Sequence, residues 1–339
     1  MMLFKFIYIG LAFILAVVLM GAITYSDVVP FIYPDNWPKP VYDFKKNPRS
    51  QSGFALGRKL FNDPRLSADN TISCSSCHLS FTGFTHADHS LSHGIKGRIG
   101  RRNSSSLINL AWNKAFNWDG GSNNIEVQVI VPLTHHAEMD NDLNSVMKYL
   151  NGSSAYRSDF YKAFGDSLIT SKKALKALAQ FTLSLTSFES KFDSIYRKEP
   201  GVKFSPNESN GYQLFLRNCN SCHTQPLFTN SGFEDNGLAV DPDLMDYGRY
   251  EITKESADSF KFKVPTLRNI ANSAPYFHDG RVNTLKDVMK HYTTNITKRA
   301  SLSDSLKQNL TLTREQQIEI VAFLKTLTDK SFLYNTNFR

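Results

Sequence analysis

The chain of 339 residues is poor in cysteine, and its few cysteines are concentrated in two short motifs. Only four cysteines are present, in the sequences CSSCH at 74–78 and CNSCH at 219–223. Both motifs together use every thiol, so none is left for a disulfide bond. The six residues concerned are Cys74, Cys77, His78, Cys219, Cys222 and His223.

Cys-x-x-Cys-His is the attachment signature of c-type haem, in which two thiols bond the porphyrin and the histidine binds the iron. Two other interpretations use only the cysteines: half of a zinc site, or a thioredoxin-like redox pair. A zinc site would need the two pairs to lie close together, and a redox pair would follow a βαβ pattern, which the chain lacks. We therefore predict two covalently attached haems, with His78 and His223 as the proximal iron ligands.

The chain also lacks a strong charge bias that would indicate a nucleic-acid partner. Its formal net charge is +8, from 39 basic and 31 acidic residues, and the propionates of two haems would offset part of it. No basic run is interleaved with aromatic residues. This pattern predicts a solvated, mildly basic surface and no nucleic-acid binding.

Long apolar runs are absent except near the N-terminus. Lys5 precedes an uncharged run at residues 6–23, so residues 1–23 are predicted to be a signal peptide or an N-terminal membrane anchor. No clear Ala-x-Ala site follows, which favours the anchor. Either interpretation exports the rest of the chain to the periplasm, with or without attachment to the inner membrane.

The remaining sequence predicts a mainly α fold with two cytochrome c-like domains, each binding one haem. The motifs lie 145 residues apart (219 minus 74), which suits one haem per domain. Residues 24–50 contain five prolines and are predicted to be an extended linker. The N-terminal domain would cover 51–199 and the C-terminal domain 200–339.

Helical patterns precede both motifs, at residues 53–61 and 208–217. A capping-box sequence at 313–316 begins a further helix, which we expect to pack through Ile318, Val321 and Ala322. We detect no internal repeat beyond this arrangement of a helix followed by CxxCH.

Several longer motifs resemble the bacterial di-haem cytochrome c peroxidase family, which includes MauG-type enzymes that oxidise a protein substrate. These motifs are GRKLFNDPRL at 57–66, RN at 102–103, WDG at 118–120, EM at 138–139, KVPTLRN at 263–269 and PYFHDG at 275–280. The resemblance extends from about residue 53 to residue 327.

The resemblance implies that peroxide reacts at the N-terminal haem, while the C-terminal haem receives or stores electrons. Glu138 would be the acid–base carboxylate that moves a proton between the peroxide oxygens. Gln128 would orient peroxide, and Trp118 would relay electrons between the haems. Taken alone, Glu138 and Gln128 would be read as surface groups and Trp118 as a core aromatic, like Trp112.

The resemblance also implies a calcium ion between the haems, bound by Asn103 and the carbonyl oxygens of Ser273 and Pro275. Hard oxygen ligands of this kind suit calcium. The residue types alone would not have indicated this site.

The distal haem ligands depart from the peroxidase pattern. Tyr292 stands where peroxidases of the family usually have the methionine ligand of the C-terminal haem, as in the MauG-type branch, and Met289, one turn earlier, is the competing ligand. A phenolate oxygen favours ferric iron, whereas a thioether favours ferrous iron. His93 resembles the displaceable distal ligand of the N-terminal haem. His86 and His89 are expected at the surface.

A pair of histidines, His135 and His136, stands just before Glu138. They would either line the mouth of the peroxide pocket or lie in a solvated loop.

These observations predict a di-haem cytochrome c peroxidase that reduces hydrogen peroxide with electrons from a small c-type cytochrome or a cupredoxin. One alternative is a MauG-type oxidase acting on a protein substrate. Another is a di-haem electron-transfer protein without catalysis, which would not require Glu138. A homodimer is a further expectation.

Overall fold

The computed structural model describes residues 27–339, and their fold is mainly α-helical, as predicted. The predicted signal peptide or anchor at 1–23 lies outside the described residues. Between residues 27 and 339, no helix combines the length and the apolar character that a membrane span requires.

The only sheet in residues 27–339 is a two-residue antiparallel pair, in which Phe233 lies opposite Lys263. In chain order the elements are α1 Gln51–Phe61, α2 Cys74–Cys77, α3 Ile125–Gln128, α4 Ile130–Thr134, α5 Leu143–Gly152, α6 Ser154–Phe164, α7 Ser171–Leu183, α8 Lys191–Tyr196, α9 Pro206–Asn218, β1 Phe233–Glu234, α10 Tyr250–Thr253, β2 Phe262–Lys263, α11 Leu285–Thr294, α12 Arg314–Lys325 and α13 Lys330–Leu333.

Two hydrophobic cores are built in the same way. In each, the helix that leads into a haem motif crosses a later helix: α1 crosses α7, and α9 crosses α12. A glycine stands at each crossing. A Cβ atom at Gly57 would overlap the carbonyl oxygen of Ala177, and one at Gly211 would overlap that of Glu319. The close approach of the backbones therefore requires glycine at both positions.

Helix α12 begins with the predicted capping box, in which Thr313 and Gln316 each accept a hydrogen bond from the backbone N–H of the other. The predicted packing face is wrong for Ile318, which is 55% exposed, whereas Val321 packs against the core as predicted. The helix carries apolar residues on both sides, so periodicity did not distinguish them. The buried side carries Phe323, whose ring lies 5.0 Å from Phe215 of α9.

The proline-rich segment before α1 differs from the extended linker that its composition predicts. Residues 27–50 form no helix or strand, but their aromatic side chains pack against the N-terminal half of the chain. Trp37 is only 5% exposed, and its ring lies 5.2 Å from that of Trp112. Burial of these aromatic groups holds the segment on the surface of the fold.

The two cores do not divide the chain at the boundary expected near residue 200. Phe192 of α8 belongs to the core that contains α9 and α12. Phe332 and Leu333 of α13 return to the core that contains α1 and α7. The chain therefore crosses between the two halves more than once, which ties them together.

An internal repeat is present that the sequence did not reveal. Residues 106–121 and 266–281 share a series of backbone features, 160 positions apart. The paired features are left-handed Asn109 and Asn269, 3-10 turns at Leu110–Trp112 and Ile270–Asn272, bridges of Phe116 with Ser122 and of Tyr276 with Val282, and left-handed Gly120 and Gly280. The repeat was missed because most of its side chains differ, including Trp118 and its counterpart His278.

We expect Gly57→Ala to lower the free energy of unfolding of the haem-loaded protein by about 1–3 kcal/mol, because the added methyl group overlaps the α7 backbone. Gly152→Ala is the matched control, since a Cβ at Gly152 meets nothing within 4 Å. Denaturant unfolding should show the loss in the first variant only. Equal stability of both variants would contradict the tight crossing.

Candidate functional site

Each CxxCH motif lines its own cavity. Cys74, Cys77 and His78 line a cavity with about 680 Å³ of empty space in the N-terminal half, counting its opening to solvent. Cys219, Cys222 and His223 line a cavity with about 1290 Å³ of empty space in the C-terminal half, again counting its opening to solvent. Because the two cysteine pairs line different cavities, they do not form the shared zinc site considered above.

The surroundings of both motifs favour neutral thiols. Burial raises the pKa of Cys74 to about 12, and it does the same to the pKa of Cys219. Zinc is bound by thiolates, which such an environment disfavours. The cavities therefore suit thiols destined for covalent attachment.

The two motif histidines have the same environment. The Nδ1 atom of His78 donates a hydrogen bond of 2.8 Å to the carbonyl oxygen of Phe84, and that of His223 donates one of 3.1 Å to Phe228. Both phenylalanines have left-handed backbones, with φ of 58° and 54°. Burial lowers the pKa of both imidazoles to about 4. Each ring is therefore neutral near pH 7, with Nε2 free to bind iron.

Three residues predicted to act at the N-terminal haem come together in its cavity. His93, Gln128 and Glu138 line the space next to His78, although they are far apart in sequence. Gln128 is the last residue of α3, and its Nε2 donates a 3.0 Å hydrogen bond to Asn117. Burial raises the pKa of Glu138, so its protonated form is favoured more than at a solvated site.

The histidines around this cavity differ in exposure. His93 stacks on His89, with ring centroids 4.1 Å apart, and His89 is exposed as expected. The expectation is wrong for His86, which is only 8% exposed. Its neighbour Thr85 forms an antiparallel β-bridge with Leu79. This bridge turns the chain back towards the haem motif and places His86 in the interior.

Of the two histidines before Glu138, one lies at the mouth of the pocket and the other lies in solvent. Nδ1 of His135 lies 3.7 Å from Oε1 of Glu138, so this histidine stands at the edge of the pocket. His136 is exposed to solvent.

In the C-terminal cavity, the two candidate distal ligands lie one turn apart on α11. Tyr292 and Met289 both line the cavity that contains His223. Met289 is 5% exposed and packs in the core with Leu285 and Ile320, whereas Tyr292 is more exposed. Burial, with smaller contributions from the Cys219 and Cys222 thiols, raises the pKa of Tyr292, so iron binding through its oxygen would require loss of a proton.

Two further residues of this cavity had no role in the sequence interpretation. Burial lowers the pKa of Lys263 to about 8, and no carboxylate of residues 27–339 forms an ion pair with it. His278 stacks on Phe262 with ring centroids 3.6 Å apart, and burial lowers its pKa to about 4. Lys263 and His278 both belong to motifs that were noted only for their resemblance to a family. Neither residue type by itself indicates a place in a haem cavity.

Trp118 lies where the two halves meet. It lines the C-terminal cavity, and its Nε1 donates a 2.8 Å hydrogen bond to the carbonyl oxygen of Asn103. The backbone N–H of Asn103 in turn donates to the carbonyl oxygen of His278, at 2.7 Å. On the other side, Asn117 bonds Gln128 of the N-terminal cavity. The side chains of both cavities are thus linked through the loop that carries Trp118.

An ion-pair network holds this loop against the C-terminal half. Arg102 pairs with Asp119 beside Trp118 and makes two hydrogen bonds to Asp246, of 2.6 and 2.8 Å. Arg249 also donates to the carbonyl oxygen of Asp119 at 2.9 Å. Burial alone would raise the pKa of Asp246, but the hydrogen bonds and charge of Arg102 outweigh it and hold this pKa below 3.8.

Comparison with known proteins identifies the family of this chain. The family described as di-haem cytochrome c peroxidase matches residues 51–201. The methylamine utilization protein MauG of Methylorubrum extorquens is 33% identical over 306 residues, covering 88% of this chain and 83% of its own. The chain belongs to the di-haem cytochrome c peroxidase family.

Other members of the di-haem cytochrome c peroxidase family are similarly related. Cytochrome c551 peroxidase of Nitrosomonas europaea is 32% identical, over 86% of this chain and 84% of its own. Among solved structures, a MauG-like protein associated with microbial copper homeostasis superposes with a TM-score of 0.81 at 29% identity, covering 92% of this chain and 99% of its own.

The residues of both cavities fit the two c-type haems of the di-haem peroxidase family. Each cavity provides two thiols, a neutral imidazole with a free Nε2, and largely apolar walls. Lys263, which has no carboxylate partner among residues 27–339, would complement a haem carboxylate in the C-terminal cavity. Asn103 and the segment that contains Ser273 and Pro275 meet at the same junction, through the contact of Asn103 with His278.

We expect Asp246→Asn to destabilise the haem-loaded protein by about 2 kcal/mol near pH 7, because it removes the bidentate partner of the partly buried Arg102 and leaves Asp119 as its remaining close carboxylate. The folded pKa of Asp246 lies below its ordinary value of 3.8. Its contribution is therefore present above that value and is lost as the pH falls through the folded pKa.

Urea unfolding at several pH values tests this expectation, with Asp304→Asn as the control for an exposed pair with Lys307. The control should leave stability unchanged. A difference between Asp246→Asn and the parent protein that persists undiminished at the acid limit would contradict the ion-pair assignment.

Proposed function

We propose that this protein reduces hydrogen peroxide at the N-terminal haem cavity with electrons from a small c-type cytochrome or a cupredoxin. The observation that supports this most directly is the presence of Glu138 and Gln128 in the same cavity as His78. An electron-transfer protein without catalysis has no need of a carboxylate and an amide beside its iron.

The haem bound through His78 would supply an iron that coordinates peroxide and exchanges electrons with it. Glu138 accepts the proton from the oxygen nearer the iron and returns it to the outer oxygen, which leaves as water. Its raised pKa brings proton acceptance and donation closer in energy at neutral pH than for an ordinary carboxylate. His135, 3.7 Å away, connects this carboxylate with the exposed edge of the pocket.

Gln128 orients the peroxide. Its amide nitrogen donates to Asn117, which fixes the plane of the side chain. A second N–H and the carbonyl oxygen then remain for hydrogen bonds to peroxide. His93 faces the same space and is proposed as the distal ligand that peroxide displaces.

Electrons pass between the two haem sites through Trp118. Its position in the C-terminal cavity, and the bond of its neighbour Asn117 to Gln128, support this role. Tyr292 is proposed as the distal ligand of the second haem. Asn103, with the carbonyl oxygens of Ser273 and Pro275, is proposed to bind calcium at this junction.

A MauG-type oxidation of a protein substrate is the second candidate. Tyr292 supports it, because a tyrosine at this position resembles the MauG-type branch, and a MauG protein is among the relatives at 33% identity. Covalent haem attachment and the apolar run at 6–23 support a periplasmic location, with the anchor and a homodimer as further proposals.

We expect Glu138→Gln to reduce the rate of peroxide turnover with a reduced cytochrome by about 100-fold or more, because an amide cannot shuttle the proton. In the parent protein the rate should fall as the pH is lowered through the raised pKa of Glu138, and the variant should lose this acid limb.

Glu255 is exposed, so Glu255→Gln is the control, and it should retain both the turnover rate and the pH profile of the parent protein. Full activity in Glu138→Gln would refute the assignment of Glu138. Turnover of a protein substrate but not of a cytochrome would favour the second candidate.

We expect Tyr292→Phe to raise the reduction potential of the C-terminal haem and to change its ferric spectrum, because a phenolate ligand stabilises ferric iron. Met289→Leu, one turn away, should change neither property. Potentiometry with optical spectra checks both variants. A thioether charge-transfer band that disappears in Met289→Leu would show that methionine is the ligand.

A further inference from the structure

A cluster of aromatic side chains has no role in the reaction described so far. Its centre is Trp112, and three rings from the segment 27–50 surround it. The centroid of Trp112 lies 5.6 Å from Phe31, 5.7 Å from Tyr33 and 5.2 Å from Trp37. Indole and phenol rings lose an electron far more readily than the phenyl ring of phenylalanine, so three of these four groups are potential redox sites.

The cluster adjoins both haem cavities. Trp112 lines a small cavity together with Trp118, the residue proposed to carry electrons between the haem sites. Leu110 and Ile125, which belong to the same hydrophobic cluster as Trp112, also line the N-terminal haem cavity. An oxidising equivalent formed in either haem cavity therefore lies close to Trp112.

Electrostatics distinguish the two oxidisable neighbours of Trp112. The guanidinium of Arg268 lies 4.4 Å from the ring centroid of Trp37 and opposes a positive charge on that indole. Arg268 is 1% exposed, so solvent screens this field little, although its ion pair with Asp193 offsets part of it. Trp112 itself donates from Nε1 to the carbonyl oxygen of Pro38 at 2.7 Å, and this dipole stabilises an oxidised indole.

Tyr33 connects Trp112 with the protein surface. Its ring meets Trp112 edge-on, with an interplanar angle of 83°, and the residue is partly exposed. Solvent water can therefore accept the phenol proton. Tyr42 is the other tyrosine of the segment, but its ring contacts Phe44, and its hydroxyl donates to Glu126 at 2.6 Å.

We propose that Trp112 and Tyr33 form a relay that carries an oxidising equivalent from the haem sites to the protein surface; this inference rests on the proposed reaction with peroxide. Reduction of one peroxide to water leaves the protein short of two electrons. Tyr33 supplies one of them through Trp112 and Trp118, and its phenol proton passes to water. The neutral Tyr33 radical is then reduced by an external one-electron donor and takes a proton back from water, which restores the phenol. A second electron from the same donor, passed along the same route, supplies the other electron that the protein lacks.

The experiment treats the haem-loaded protein with hydrogen peroxide in the absence of a donor, with a nitroso spin trap present. Peroxide consumption is measured in parallel, and the trap adduct is located by peptide mass spectrometry. We expect an adduct at Tyr33 in the parent protein. It should be absent in Tyr33→Phe, and most of it should be lost in Trp112→Phe, because phenylalanine cannot be oxidised in place of the indole.

Two variants serve as matched controls. Trp37→Phe removes the indole beneath Arg268, and Tyr42→Phe removes the tyrosine that does not contact Trp112; both should retain the adduct at Tyr33. Haem spectra and melting curves establish that each variant is folded, and the conservative Tyr33→Phe change tests the exit even if Trp112→Phe does not fold.

The outcomes separate the relay from the reaction on which it rests. Peroxide consumption without an adduct at Tyr33, or an undiminished adduct in folded Trp112→Phe, would overturn the relay alone. A parent protein that consumes no peroxide would overturn the proposed function and the relay together. An adduct at Tyr33 that requires Trp112 but not Trp37 would support the relay.

Discussion

The structure depends on holding two imidazoles neutral and correctly oriented inside two apolar cavities. Each is fixed by one hydrogen bond from Nδ1 to the carbonyl oxygen of a phenylalanine, Phe84 or Phe228, a few residues further along the chain. The phenylalanine must adopt a left-handed backbone to present this oxygen, a conformation that costs free energy for a bulky residue. Both residues are almost fully buried, and their packing offsets this cost.

The two halves share this arrangement but use it differently, because different residues surround the two imidazoles. The N-terminal cavity adds a carboxylate, an amide and a histidine, which can move protons and position a small ligand. The C-terminal cavity has a carboxylate and amides of its own, in Glu234, Asn218 and Asn236, and it adds a phenol, a lysine and a second histidine on largely apolar walls. The repeat at 106–121 and 266–281 underlines the contrast, since Trp118 and His278 occupy equivalent positions with different chemistry.

Communication between the halves rests on the loop around Trp118. Arg102 and Asp246 hold it from one side, while hydrogen bonds through Asn103 and Asn117 hold it from the other. Because these groups have low exposure, their interactions are screened less than surface pairs. The same loop adjoins the aromatic cluster built by residues 27–50. A segment that composition marks as a linker thus contributes to the environment of the redox centres.

The sequence by itself determined the two haem sites, the helical class and the helices that lead into each motif, because these depend on spacing within a few residues. It also indicated, through longer motifs, which family the chain belongs to. The tertiary structure decided which distant residues share a cavity, as with His78 and Leu178, and which face of α12 is buried. It also decided that His86 is interior, that residues 27–50 are packed, and that Lys263 faces a haem cavity. These properties arise from contacts between segments far apart in the chain, to which local periodicity and composition are insensitive.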